Sequence, residues 1–387
     1  MSQFDFDRPA DRRRSDSVKW GAYAEEVIPL WVADMDFPAP PPVVEALHRR
    51  VDHGIFGYSM RPVALAETVA ERLDRLYGWK VAAEAVTFLP GVVPGFNLAA
   101  RALAKPGGEL LIQTPVYPPF LTVAAHAGMS RRVNVLQERG GSSWEIDFES
   151  LASSLGNRTA CFLLCNPHNP VGRVFRQDEL STLAELCLGR GIPVISDEIH
   201  CDLVFRGHSH IPFASLAPEV ERATITLMAP SKTFNIPGLE CAFAVIPDTQ
   251  LRRRFEEARA GLVPVANLLG CAAALAAYRD AQPWLAAALN YLEANRDIVF
   301  DFCRTRMPGI TLAMPEGTYL AWLDCRQAGL NMDTAAFFLQ RGRVALSAGP
   351  SFGPGGDGFV RLNFGCPRSL LAEALERMSA ALNRNTQ

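Results

Sequence analysis

The sequence predicts an α/β fold: a large domain built on a mainly parallel sheet covered by helices, and a smaller α+β domain. Short, continuous apolar runs alternate with helical stretches from about residue 43 to 246, the pattern left by strands buried on both faces. The C-terminal third changes character, with three strand-like runs and a closing helix. A chain of 387 residues, 49% hydrophobic and 20% charged, can bury a large core and divide in two.

In chain order, residues 1–45 read as largely irregular and proline-rich around Phe37 to Pro42, before a helix from about Val43 to Val51. Ala66 to Leu76 reads as helix, Ala85 to Leu89 as strand, Val93 to Leu103 as helix and Glu109 to Gln113 as strand. The alternation continues through strand Thr159 to Cys165, helix Asp178 to Arg190, and strands Pro193 to Ser196, Ala223 to Met228 and Ala242 to Ile246. Arg252 to Val299 reads as long helices. Strand-like Tyr319 to Leu323, Val344 to Leu346 and Phe359 to Asn363, with a helix from about Ser369 to Leu382, form the smaller domain. The expected division is 46–277 for the large domain, and 1–45 with 278–387 for the N-terminal segment and small domain.

Several function classes are excluded. Net charge is −3, and the short basic clusters Arg12 to Arg14 and Arg252 to Arg254 read as solvated surface, so nucleic acid is not an expected partner. Nine cysteines are too few for a disulfide scaffold. Cys161 and Cys165 share one apolar run and lack a second ligand pair, so they read as buried thiols and no metal is expected. Met1 to Ser17 is polar, unlike a signal peptide, and no uncharged apolar run is long enough to span a bilayer. A cytoplasmic protein is expected.

Ligands of open α/β sheets gather at the carboxyl ends of strands. Lys232 follows the apolar run Ala223 to Met228, between flanks that do not resemble a surface, and Asp197 ends the run Ile192 to Ile195. A lysine and a carboxylate delivered this way suit pyridoxal phosphate chemistry: the amine holds the aldehyde, and the acid keeps the ring nitrogen protonated. Glu198 then reads as a satisfied neighbour, and His200 either supports the site or caps a loop. Pro90 to Gly95 joins strand to helix, where free N–H groups could hold a phosphate or merely turn the chain. Tyr117, between prolines, could stack on a flat ring or belong to the core. An Asn within Cys165 to Arg173 could bond a phenolic oxygen, while His168 reads as a structural hydrogen-bonder. Ser231 adds a hydroxyl. The stretch Gly349 to Gly356 reads as a flexible loop rather than a phosphate cradle, because no helix pattern follows it.

Trp31 to Pro38 (WVADMDFP), Phe56 to Tyr58, Pro90 to Val93, Pro115 to Phe120, Cys165 to Val174, Ser196 to His200, Ser231 to Leu239 and Gly358 to Asn363 lie in order between about residues 20 and 380. Together they resemble the fold-type-I pyridoxal phosphate enzymes, and within them the MalY/PatB branch of cystathionine β-lyase-like carbon–sulfur lyases in the aminotransferase class I/II superfamily. The resemblance implies an aspartate-aminotransferase-like fold with a seven-stranded sheet. It implies Lys232 on the aldehyde, Asp197 on the ring nitrogen, Tyr117 stacked on the ring, Asn169 on the ring oxygen with His200 nearby, and Val92, Val93 and Ser231 on the phosphate. Tyr58 would reach the phosphate from a partner subunit, making a homodimer part of the site. Arg361 would pair with the substrate carboxylate, with Asn169, Tyr58, Trp31 and Ala33 completing the substrate site. Position 240 departs from the wider pattern: Glu240 stands where aminotransferases of this fold place an arginine, which leans toward the lyases and predicts that Glu240 points away. Ala229 lacks a hydroxyl that some relatives carry, leaving more to Ser231.

The activity so implied is cleavage of a β-thio-substituted L-amino acid, cystathionine or a cysteine S-conjugate, to thiol, pyruvate and ammonia. An aminotransferase would share every cofactor contact, and biosynthetic relatives couple deamination to decarboxylation. A regulator without turnover is disfavoured because the lysine, the aspartate and the arginine are all present.

Overall fold

The structure is a computed structural model that describes residues 4–140 and 143–385. Its main sheet has seven strands: β1 (Val86–Leu89), β2 (Glu109–Thr114), β3 (Ser130–Val135), β4 (Thr159–Cys165), β5 (Val194–Asp197), β6 (Thr224–Met228) and β7 (Ala242–Val245). They lie in the order β1-β7-β6-β5-β4-β2-β3. β7 runs antiparallel to both neighbours, and all other neighbouring pairs are parallel. The count implied by the resemblance is correct, although apolar runs alone mark only six strands. The seventh, β3, is an edge strand with exposed Arg131 and Arg132. An edge needs no apolar face on both sides, and charges there discourage pairing with another chain.

The alternation within strands shows why both faces are covered. Leu110 and Ile112 of β2 pack in one core with Phe96 and Phe255, while Leu111 between them packs in another with Leu180 and Leu183. Phe96 belongs to α3 (Val92–Leu103), which follows α1 (Pro41–Asp52) and α2 (Val63–Tyr77). Leu180 and Leu183 belong to α4 (Gln177–Leu188), and Phe255 to α5 (Thr249–Arg259). Gly95 lets α3 approach the sheet closely, since a Cβ there would lie 2.9 Å from Leu227 and 3.0 Å from Leu89. The region read as long helices is α5, α6 (Leu268–Asp280) and α7 (Gln282–Arg306).

A third core joins the N-terminal segment to the C-terminal part. There β8 (Leu320–Asp324), β9 (Ser347–Ala348) and β10 (Phe359–Asn363) form an antiparallel sheet in the order β8-β10-β9, closed by α8 (Arg368–Asn385). The expected strand Val344 to Leu346 is divided. Val344–Ala345 pairs with Ile28–Pro29, and the chain then switches partners at Leu346 so that Ser347–Ala348 pairs with β10. The reading of Gly349 to Gly356 as a flexible loop is corrected as well. Gly349–Phe352 is a 3₁₀ turn with Phe352 buried, and a Cβ on Gly349 would meet the Gly356 carbonyl oxygen at 2.0 Å. Only glycine permits that approach of two backbones.

The N-terminal segment is tied down by polar groups. Asn235 accepts from Met35 N at 2.9 Å and donates to the carbonyls of Met35 and Phe37, while Asn363 donates to those of Val32 and Asp34. Lys19, fully buried, pairs with Asp36 at 2.8 Å, and Arg12 pairs with both Asp34 and Asp36. No helix among the described residues is long and apolar enough to cross a membrane.

Candidate active site

The carboxyl ends of β1, β4, β5 and β6 open into one cavity of about 860 Å³, closed on its other sides by the N-terminal segment and the small sheet. Lys232 enters from a four-residue helix, Pro230–Thr233, placed just after β6 rather than from the strand end itself. Its Nζ donates to the Ala33 carbonyl at 2.6 Å. Burial lowers its pKa to about 8, the Arg361 charge adds to this, and Asp34 and Asp197 oppose it.

Asp197 is the last residue of β5 and is 4% exposed. Burial raises its pKa to about 7 against a hydrogen bond from Ile199 N at 3.1 Å; the Glu198 charge raises it further and the Lys232 charge opposes. Among the described residues it forms no ion pair. Glu198 is fully satisfied elsewhere, by Ser196 Oγ, His210 Nε2 and Phe213 N at 2.8 to 2.9 Å, as its reading as a neighbour required. His200 lines the cavity with its ring edge-on to Tyr319, and burial lowers its pKa to about 3, so it is neutral.

Arg361, on β10, is buried. Its Nη1 donates to Asn169 Oδ1 at 2.9 Å, and its Nη2 to the Trp31 carbonyl at 2.8 Å and to Ser347 Oγ at 3.2 Å. The guanidinium lies 5.0 Å from the Phe352 ring, and no carboxylate among the described residues pairs with it. Tyr117 lines the cavity and donates through its N–H to the Asn169 carbonyl. His168 is structural: its ring nitrogens face the carbonyls of Pro115 and Cys165. Val92 and Val93 open α3, whose N-terminus has no side-chain cap, and both line the cavity with Ser231, Trp31 and Ala33. Tyr58 stands outside it, fully exposed on the loop between α1 and α2.

Glu240, an exposed residue with φ +49°, is among those that line the cavity. Tyr23, Asp34, Tyr319, Ser347 and Phe352 also line or brace the cavity and were not singled out in the sequence. Tyr319 had a signal, as an aromatic residue opening a strand in a chain with seven tyrosines; its hydroxyl donates to the same Ala33 carbonyl that Lys232 uses.

A family model described as aminotransferase class I and II matches residues 25–378. The chain belongs to that family. It is 41% identical to cystathionine beta-lyase PatB of Bacillus subtilis (strain 168), over 98% of this chain and 100% of that protein. Among solved structures it is similar to OvoB, at 45% identity and TM-score 0.93, covering 98% and 99% of the two chains. It is also similar to cystalysin from Treponema denticola, at 34% identity and TM-score 0.94 over 99% of each, a structure that contains pyridoxal 5′-phosphate. The fold is therefore the aspartate-aminotransferase-like fold, type I, that the resemblance implied, and the PatB branch is the correct one.

Proposed function

We propose that this chain is a pyridoxal-phosphate-dependent β-lyase that splits a β-thio-substituted L-amino acid into thiol, pyruvate and ammonia. The observation that carries the reading is Asp197, a buried carboxyl that forms no ion pair among the described residues, in the cavity that Lys232 enters. A buried acid is stable as an anion only opposite a positive charge, and a protonated pyridine nitrogen supplies one. Three more buried polar atoms around the cavity, Asp34 Oδ1, His200 Nδ1 and Arg361 Nε, have no hydrogen-bond partner, which fits a polar ligand. The relationship to PatB supports elimination as the outcome.

When bound, the cofactor supplies an aldehyde for an amine and a cationic ring that draws electrons from the substrate Cα. Asp197 would keep that ring charged, Tyr117 would stack on it and Asn169 would donate to its oxygen, with His200 as a neutral support. The Val92 and Val93 N–H groups, at the positive end of α3, and the Ser231 hydroxyl would hold the phosphate. Tyr58 of the partner subunit completes the cradle in a homodimer. Arg361 holds the substrate carboxylate two-pronged, at a distance set by Asn169, Trp31 and Ser347. Lys232 would hold the aldehyde and would take the Cα proton at Nζ; an amine lowered to about 8 is partly neutral near physiological pH and can accept one. Division at 46–277, with the site between the two parts, and a cytoplasmic location belong to the same reading.

Lys232→Ala decides the matter. It should lose turnover, by about 10³-fold or more, together with the visible absorbance of the bound cofactor. Normal activity in that variant ends the proposal, and a 2-oxo acid that retains sulfur, in place of pyruvate and free thiol, makes the enzyme an aminotransferase.

A further inference from the structure

Lys232 and Asp197 arrive on neighbouring arms of the fold, and a cofactor that engages both is seated only as well as the two arms are held together. Lys232 stands on Pro230–Thr233, a four-residue helix with no side-chain cap, and one turn of helix has little stiffness of its own. The residue after the lysine, Thr233, is fully buried and does not line the cavity. Its hydroxyl donates to Asp202 Oδ2 at 2.9 Å. Among the described residues this is the only side-chain hydrogen bond between segments 230–235 and 198–203.

Asp202 closes the turn that follows β5. Cys201 N donates to the Glu198 carbonyl at 3.0 Å and Leu203 N to the His200 carbonyl at 2.9 Å, which folds residues 198–203 into a compact unit. Within it, Ile199 N donates to Asp197 Oδ1 at 3.1 Å. A continuous path therefore joins the amine to the acid: along the chain from Lys232 to Thr233, across one hydrogen bond to Asp202, and through the turn to the Asp197 carboxylate. Arg72, on α2, fixes the far side of Asp202 by pairing with Oδ1, while its guanidinium lies 4.9 Å from the ring of Tyr278 on α6. The Arg72 and Asp202 side chains are 8% and 5% exposed. Hydrogen bonds to an ionised acceptor are about twice as strong as neutral ones, and the arginine balances the cost of burying the carboxylate.

We infer that Thr233 and Asp202 are positioning residues that set the spacing between Lys232 and Asp197, and with it the seating of pyridoxal phosphate, with Arg72 holding Asp202 in place. This rests on the cofactor reading of the lysine and the acid, and not on which amino acid is cleaved. Arg72, Asp202 and Thr233 all stand outside the cavity lining, so they act through the two residues they brace. Arg361 is held separately, from β10, by Asn169, Trp31 and Ser347. Loosening the brace therefore disturbs the chemistry more than the capture of the substrate carboxylate, since a displacement of about 1 Å at reacting groups can cost about 100-fold in rate.

The test uses Thr233→Val, which keeps the shape of the side chain and removes the hydroxyl. Titration of the cofactor-free enzyme with pyridoxal 5′-phosphate, followed by visible absorbance, should give a Kd about tenfold or more above that of the parent. At saturating cofactor, kcat for pyruvate release from L-cystathionine should fall about tenfold or more while KM changes by less than about twofold. Thr233→Ser returns the hydroxyl and should recover most of both losses. Thr233→Ala gives the same comparison with serine where valine prevents folding. A parent-like Kd and kcat in folded Thr233→Val or Thr233→Ala overturns the inference. So does a Thr233→Ser protein as impaired as the valine variant, because the methyl group and not the hydroxyl then decides the outcome, and so does a KM that rises as far as kcat falls, the mark of a general loosening. Absence of pyruvate with the parent enzyme ends the β-lyase reading alone, since the comparison of Kd values still decides whether the brace exists.

Discussion

Replacing Asp197 by asparagine should stabilise the cofactor-free protein and weaken the loaded one. The raised carboxyl titrates at about 7, against an ordinary 3.8. A difference of about three units, at about 1.4 kcal/mol each, means that ionising it in the folded state costs about 4 kcal/mol. The sign follows from proton counting. Between these two values the folded chain holds the proton and the unfolded chain has released it, so stability falls as pH rises through that window and is level above it. Asparagine has the same shape, can still accept from Ile199 N–H and never ionises. Urea unfolding of the cofactor-free proteins should therefore show a gain for Asp197→Asn of about 2 kcal/mol near pH 5, growing to about 4 near pH 8. With cofactor present the order should reverse, because the variant lacks the anion that holds the ring cation. A variant no more stable than its parent at pH 8, or a gain that does not grow with pH, refutes the account of Asp197 as a buried acid in want of a cation.

Other outcomes follow from the same geometry. Arg361→Lys keeps the charge but not the fork that meets Asn169, Trp31 and a carboxylate together, so KM for the amino acid should rise about 30- to 100-fold with a smaller change in kcat, read from steady-state kinetics. Asn235→Ala removes three hydrogen bonds to the segment carrying Met35 and Phe37 at a residue with φ +54°, and should cost about 2 to 4 kcal/mol in urea unfolding of the loaded enzyme. A cost under about 1 kcal/mol would show that the segment is held by its apolar contacts instead.

Much of the fold was legible because β2, β4, β5, β6 and β7 are buried along their whole length and so leave unbroken apolar runs. β3 left no such run, since an edge strand is partly wet and carries arginines. The switch of partners at Leu346 was also hidden: a strand that changes sheets keeps one apolar pattern while its hydrogen bonds move. Lys232 and Asp197 stood out because a charge at the end of an apolar run is unusual. Tyr23 and Ser347 did not, because a tyrosine in a polar segment and a serine beside a glycine-rich turn are ordinary neighbours in sequence.

The order of residues by itself determined the alternation of strand and helix, the family and the lysine–aspartate pair, since local pattern and motif spacing need no knowledge of the rest of the chain. Only the tertiary structure decided which distant segments meet, such as Trp31 and Ala33 against Arg361 and Lys232. Those contacts depend on how three cores pack and on where buried polar groups find partners, and such long-range pairing leaves no periodic trace in the sequence.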